Sequence, residues 1–97
     1  MPFVLTRGAE DDLQRIDSYL FLSNHEAAER VGRALEEAMD LLSERPLIGH
    51  ERPDLTTRPF RFWPVHSYLI VYDPRTSPLQ IIRVVHGATD VASRLTE

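Results

Sequence analysis

The fold of this chain of 97 residues is decided by residues 60–87, which read FRFWPVHSYLIVYDPRTSPLQIIRVVHG. Segments rich in β-branched and aromatic residues are separated here by turn signals, above all the run from Asp73 to Pro78. The pattern predicts three strands, over residues 60–65, 67–72 and 79–86. Because the connections are short, consecutive strands form an antiparallel meander. Pro64 indicates an edge or bulge position in the first of them.

Upstream of this stretch, the apolar residues recur with the period of a helix. One stripe at spacings of four, three and four predicts a helix that ends near residue 22; its members are Ala9, Leu13, Ile16 and Leu20. A second stripe from Ala28 to Leu42 predicts a second helix, and Ser23 with Glu26 fits a capping box at its start. The connection is so short that the two helices form an antiparallel hairpin. We expect Ala28 and Gly32 to allow close approach.

The remaining segments complete an α+β fold. Residues 3–6 read as a short N-terminal strand, and prolines and glycine make residues 45–57 a loop. Thr89 or Asp90 caps a short C-terminal helix through Leu95. We therefore predict one domain over residues 1–97: a strand, a helix hairpin, a three-stranded meander and a short helix.

The predicted strands are apolar on both faces, as in the run from Leu69 to Tyr72. A sheet with one face in water would alternate apolar and polar residues. The helix hairpin covers one face, so something else has to cover the other. We favour a protein partner as this cover, since large exposed apolar patches mark interaction sites. The C-terminal tail and the loop at residues 45–57 are the alternative.

The charge is unevenly distributed. The net charge is −4, and every basic residue is arginine. Residues 1–44 carry ten carboxylates against four arginines, whereas residues 45–97 carry five against seven. An acidic domain is a poor general binder of phosphate backbones, so we expect no direct sequence-specific DNA binding. Any surface that faces an anion should lie in the C-terminal half.

Several kinds of chemistry have no support in the sequence. There is no cysteine, the four histidines lack metal-ligand spacing, and no glycine-rich phosphate loop is present. We assign the carboxylate pairs Asp11–Asp12 and Glu36–Glu37 to solvated helix faces. No apolar run approaches the roughly 20 residues that span a bilayer, and no secretion signal is visible. We expect a cytoplasmic protein with no cofactor, no metal, no membrane partner and no catalytic residue.

Arginine and aromatic side chains are grouped on the predicted sheet. Such residues dominate protein interfaces and also bind RNA by stacking and phosphate contact. Arg83 stands alone in an apolar strand, so it needs a carboxylate from this chain or from a partner. His86 ends that strand, as a structural histidine, as a general base or as a phosphate contact. Our candidate contact residues are Arg61, Trp63, Tyr68, Tyr72, Arg83 and His86.

In this order of elements, the chain resembles the RelE/ParE superfamily of bacterial toxins. Residues 62–72, FWPVHSYLIVY, look like the middle strands of that family. Residues 81–90, IIRVVHGATD, look like the ParE ending, of the usual form I-x-R-V-x-H-G-x-R-D. Thr89 stands where that ending has arginine.

The resemblance implies a toxin of a toxin–antitoxin pair. A ParE-like toxin poisons DNA gyrase by contact, and a ParD-like antitoxin binds and neutralises it. A RelE-like toxin, the alternative, cuts mRNA on the ribosome with basic residues. Two of those arginine positions are Leu69 and Thr89 here, although Arg61, Arg83 and His86 could replace the usual set. A third reading is a family member that only binds its antitoxin.

Overall fold

The protein, seen in a computed structural model that describes residues 2–95, forms a five-stranded sheet with two long helices on one face and a short helix on the other. The strand order is β1-β5-β4-β3-β2. The elements in chain order are β1 (Phe3–Leu5), α1 (Arg7–Ser23), α2 (His25–Glu44), β2 (His50–Glu51), β3 (Arg61–Val65), β4 (Tyr68–Asp73), β5 (Leu79–His86) and α3 (Val91–Leu95).

The predicted α+β fold is confirmed, with two additions to the sheet. Strands β3, β4 and β5 form the antiparallel meander, and β3 and β4 are joined by the turn at His66 and Ser67. The sheet is mixed because β1 runs parallel to β5. Strand β2 was not predicted, since two exposed residues inside a loop carry no periodic signal. It pairs only with Arg61 and Phe62, so Pro64 lies beyond it, on an unpaired edge of β3 as predicted.

The junction of the two helices corrects one prediction. Asn24, not Ser23, caps α2: its side-chain oxygen accepts hydrogen bonds from the backbone N–H groups of Glu26 at 2.9 Å and Ala27 at 3.2 Å. Ser23 is still the last residue of α1, and its hydroxyl donates to the carbonyl of Tyr19. Asparagine and serine cap helices about equally well, so the pattern alone did not separate them. At the C-terminus, the Asp90 carboxylate accepts from Ser93 N–H and caps α3 as predicted.

We call the side of the sheet that packs on α1 and α2 the hairpin face, and the opposite side the loop face. Ile70, Tyr72 and Ile81 lie in the core of the hairpin face. Phe62 and Val71 lie in the core of the loop face and are 1% and 0% exposed. The loop face is covered by Leu55 and Phe60 from the segment before β3 and by Val91 and Leu95 from α3. The expectation that this face needs a protein partner is therefore wrong, because the chain's own loop and tail cover it.

Candidate functional site

An open apolar groove lies between the helix hairpin and β1. It has a volume of about 460 Å³ and is lined mainly by side chains of the hairpin-face core. Its apolar walls are formed by Phe3, Leu5, Leu13, Ile16, Leu20, Ala28, Leu35 and Met39. The predicted stripe of α1 thus faces the core, but Leu13, Ile16 and Leu20 are only partly buried. The hairpin face, which we expected to be complete, is the one that remains open.

Small side chains on α2 help to keep the groove open. Gly32 lines it, and a Cβ atom built at this position would meet no atom within 4 Å. We expected Gly32 to allow the two helices to approach closely, and this expectation is wrong. Gly32 instead leaves free space beside α1. Together with Ala28, one turn earlier, it lets the groove reach along the exposed side of the hairpin.

The groove has an acidic rim. Asp17 of α1 and Glu36 and Asp40 of α2 are exposed and line its edge. Beyond this acidic rim, near the end of α1, Leu22 is 88% exposed. The Phe21 ring stacks on the His25 ring, and the two ring centroids are 3.8 Å apart. The hairpin thus combines an apolar floor, carboxylates and an exposed apolar tip.

Of the candidate contact residues, Tyr72 and Arg61 lie at one end of the sheet and hold the loop before β2. Tyr72 is 0% exposed; its hydroxyl donates to the carbonyl of Pro46 at 2.7 Å and accepts from Gly49 N–H at 2.9 Å. The Arg61 guanidinium donates to the carbonyls of Leu47 and Gly49 and to the carboxylate of Glu51. Burial raises the pKa of the Tyr72 phenol. Both side chains therefore have internal partners, and Tyr72 has no accessible surface.

Gly49 is required by the same contact. A Cβ atom at this position would overlap the phenol of Tyr72. Glycine therefore allows the backbone to approach the ring closely enough for the N–H to reach the hydroxyl.

Arg83 finds its carboxylate inside the chain. Its Nε donates to Asp12 Oδ2 at 2.7 Å and its Nη2 to Asp12 Oδ1 at 2.9 Å, while Nη1 donates to the carbonyl of Arg94 in α3. Asp12 also accepts from Val84 N–H and is 3% exposed. The prediction that Asp12 lies on a solvated face is therefore wrong. The ion pair joins α1, β5 and α3, which are distant in sequence.

Tyr68 and His86 lie beside Arg83, at the other end of the sheet from Tyr72. They are cross-strand neighbours with an edge-to-face ring contact, centroids 5.4 Å apart. His86 is exposed, and its Nδ1 accepts from Ala88 N–H at 3.0 Å. Trp63 lies between the two ends, half-buried and nearly parallel to the His50 ring. The structure thus brings Tyr68, Arg83 and His86 together and separates them from Arg61 and Tyr72.

Neither a metal centre nor a membrane span is found in the part of the chain that the structure describes. Among residues 2–95, no three histidine or carboxylate side chains converge in a way that could hold a metal ion. None of the helices in this range is both long enough and apolar enough to cross a bilayer.

The sequence and the fold both match known proteins. The sequence model of a family described as "ParE toxin of type II toxin-antitoxin system, parDE" matches residues 3–91. A chain in the solved structure titled "Chromosomal ParDE TA system from P. aeruginosa" has a similar fold, with a TM-score of 0.73. The two chains are 20% identical, and the match covers 89% of this chain and 95% of the other. None of the curated proteins matches significantly.

Proposed function

This chain belongs to the ParE toxin family of type II toxin–antitoxin systems, and we propose that it is a toxin that inhibits DNA gyrase and that a ParD-like antitoxin neutralises it. The family match over residues 3–91 carries the proposal. It extends from β1 to the start of α3 and so includes the helix hairpin and all the strands of the sheet.

The open groove is the surface that we assign to the antitoxin. Leu13, Ile16 and Leu20 lie on its walls and remain partly exposed in the free chain. Complete burial of a fully exposed side chain of this kind is worth about 1.5–3 kcal/mol, and the part of each side chain that is still exposed can contribute its share on binding. A segment that presents apolar residues at helical spacing fits a groove between two helices. The unfinished apolar surface therefore supports an antitoxin segment on the hairpin face.

The charge at the rim of the groove indicates the charge that the antitoxin segment carries. Asp17, Glu36 and Asp40 present carboxylates at the edge, and none of the arginines among residues 2–95 lines the groove. Complementary charge at a rim speeds association and selects the partner. We therefore assign the groove to an amphipathic segment with basic residues beside its apolar face.

We propose that the toxin acts by contact and has no catalytic residue. Leu69 and Thr89 occupy positions at which the RelE-like ribonucleases carry arginine, and neither can neutralise a phosphate. Arg83 already donates to Asp12 and to the carbonyl of Arg94. Trp63, Tyr68 and His86 keep accessible surface, and we assign contact with the target to these three of the six candidate residues.

A supercoiling assay with purified gyrase tests the proposed activity. We expect the toxin, in molar excess, to inhibit supercoiling and to accumulate cleaved DNA, and prior mixing with the antitoxin to abolish both effects. The variants Trp63→Ala and His86→Ala should weaken inhibition, whereas Arg30→Ala, exposed on α2, serves as the matched control. Normal supercoiling in the presence of excess folded toxin would refute the gyrase proposal.

Toeprinting of mRNA on translating ribosomes separates the two classes of activity. Cuts in the ribosomal A site would support the ribonuclease instead. A chain that folds and binds the antitoxin, but affects neither gyrase nor mRNA, would be the family member that only binds its antitoxin.

The groove assignment is tested by a matched pair of leucines. Leu20 lies in the groove, while Leu47 is 69% exposed elsewhere. We expect Leu20→Glu to weaken antitoxin binding on the order of 100-fold, as for a residue at the centre of an interface, and Leu47→Glu to leave it unchanged. Equal losses for the two variants, measured by calorimetry with folded protein, would exclude the groove.

A further inference from the structure

A second, smaller cavity, lined by both charged and apolar side chains, lies where α1, β5 and α3 meet. Its volume is about 120 Å³, close to the space that four water molecules occupy in the liquid, at about 30 Å³ each. We call it the notch. The side chains that matter for its chemistry are Arg15, Tyr68, His86, Thr89 and Arg94, with the Arg83–Asp12 pair at its base. It lies beyond the apolar groove and shares none of these residues with it.

The notch carries more positive charge than its carboxylate can balance. Among the described residues, Asp12 is the one carboxylate that lines it, and it pairs with Arg83, so the charges of Arg15 and Arg94 are in excess there. Both oxygens of Asp12 are already bonded by Arg83, and one of them also accepts from Val84 N–H. Arg15 reaches this carboxylate only at 3.6 Å and is 64% exposed. Within residues 2–95, no carboxylate lies within 4.0 Å of the Arg94 guanidinium.

The His86 imidazole lines the same opening. His86 Nδ1 accepts from Ala88 N–H at 3.0 Å, so the neutral imidazole carries its proton on Nε2, where it can be donated. Two guanidinium groups and an imidazole N–H form a set of donors that suits a tetrahedral oxyanion, because guanidinium groups bind phosphate oxygens in pairs. The Tyr68 ring adds an apolar wall beside the donors.

We propose that the notch binds a phosphate group, with Arg15 and Arg94 as the charged ligands and His86 as a hydrogen-bond donor. The phosphate is either a phosphodiester of a nucleic-acid backbone or a free phosphate; both offer the same oxygens. The notch offers two guanidinium groups in a cavity of about 120 Å³, so it contacts a single phosphate and does not track a backbone. The inference does not depend on gyrase inhibition.

The test is a titration of the isotopically labelled full chain followed by backbone amide NMR. Inorganic phosphate is the first ligand, and a short single-stranded oligonucleotide without a terminal phosphate is the second. We expect saturable shifts of the amide signals of Ala88 and Thr89 with at least one of the two. Saturation by inorganic phosphate assigns a free phosphate, and saturation by the oligonucleotide alone assigns a backbone phosphodiester. No saturable shift with either ligand overturns the proposal.

Two double variants distinguish binding of phosphate in the notch from non-specific attraction of an anion to arginine side chains. The double variant Arg15→Gln/Arg94→Gln should weaken binding by roughly tenfold for each charge-assisted contact removed. It should also reduce the salt dependence of oligonucleotide binding by about 0.7 per contact in log–log slope. The matched control Arg30→Gln/Arg33→Gln removes the same charge from exposed positions on α2 and should change neither the affinity nor the salt dependence. Equal effects of the two double variants, with both chains folded by circular dichroism, would contradict the proposal.

Discussion

The loop face of the sheet is closed by the chain's own residues, whereas the hairpin face keeps an open groove although two long helices pack on it. The short α3 and the segment before β3 suffice for Phe62 and Val71 because they place apolar side chains directly on these residues. On the hairpin face, Ala28 and Gly32 of α2 place little side-chain volume beside α1 and leave the α1 stripe half covered. The number of residues in a covering layer therefore does not decide whether a face is complete; the size of its side chains does.

The largest expected effect contrasts Phe62 with Leu20. Truncation of a fully buried phenylalanine costs about 3–5 kcal/mol, so Phe62→Ala on the loop face should lower the free energy of unfolding by that amount. Leu20→Ala should cost about 1 kcal/mol, because a half-buried side chain gives up less burial. Urea unfolding of the free chain measures both. Similar losses would mean that the two faces are equally closed.

The next effect concerns the ion pair that links the two faces. Replacing Arg83 by alanine leaves the buried Asp12 carboxylate without its cation and removes the bond to α3. We expect a loss of about 3 kcal/mol in the free energy of unfolding, at the low end for a broken buried pair because the notch admits water. Arg58→Ala, at an exposed position, is the control and should cost little. A small loss for Arg83→Ala would show that the pair does not hold α1 to the sheet.

Tyr72 tests the end of the sheet that holds the loop before β2. Tyr72→Phe leaves Gly49 N–H and the Pro46 carbonyl without their partner, at an expected cost of about 1–3 kcal/mol near neutral pH. Burial raises the pKa of this phenol, so the neutral form is favoured in the folded chain. Its stabilising effect should be complete below the ordinary pKa of about 10 and should be lost as the pH rises above it.

The measurement is the difference in unfolding free energy between the wild type and Tyr72→Phe, at pH 7 and again above pH 10. We expect the difference to shrink at the higher pH. A difference independent of pH would mean that the phenol is not held in its neutral form.

The smallest effect belongs to Asp73, at the end of β4. Its carboxylate accepts two hydrogen bonds of 3.0 Å from the Arg75 guanidinium, which hold its pKa below the usual value. Asp73→Asn should cost about 1 kcal/mol or less, since Arg75 is largely exposed and the pair is screened. A lowered pKa stabilises the folded chain above the ordinary value of about 4, so the cost should disappear as the pH falls below it. A cost that persists in acid would point to packing.

Local signals predicted most of the fold. The strands, the hairpin and α3 follow from apolar periods, turn residues and caps, all of which act within a few residues. Strand β2 was not predicted, because its two residues are defined as a strand by their pairing with Arg61 and Phe62 and not by a local sequence pattern. The N-cap of α2 was assigned to Ser23 and is Asn24. The sequence could not separate them, because the two side chains are nearly equivalent as caps.

The site was predicted less well, because it depends on contacts between distant residues. The isolated Arg83 correctly indicated a carboxylate partner, but Asp12 lies 71 positions earlier and shares its helical turn with other acids. The apolar pattern of the strands showed that both faces need cover. It did not show which cover would be complete, since that depends on the size of the side chains that each covering element places on the sheet.

Amide hydrogen exchange of this chain, alone and bound to the proposed ParD-like antitoxin, tests the groove as the antitoxin site most directly. The account predicts that binding slows exchange in β1, α1 and α2, around the groove, and leaves α3 and the segment before β3 unchanged. Slowed exchange in α3 and that segment, with no change in the hairpin, would contradict it.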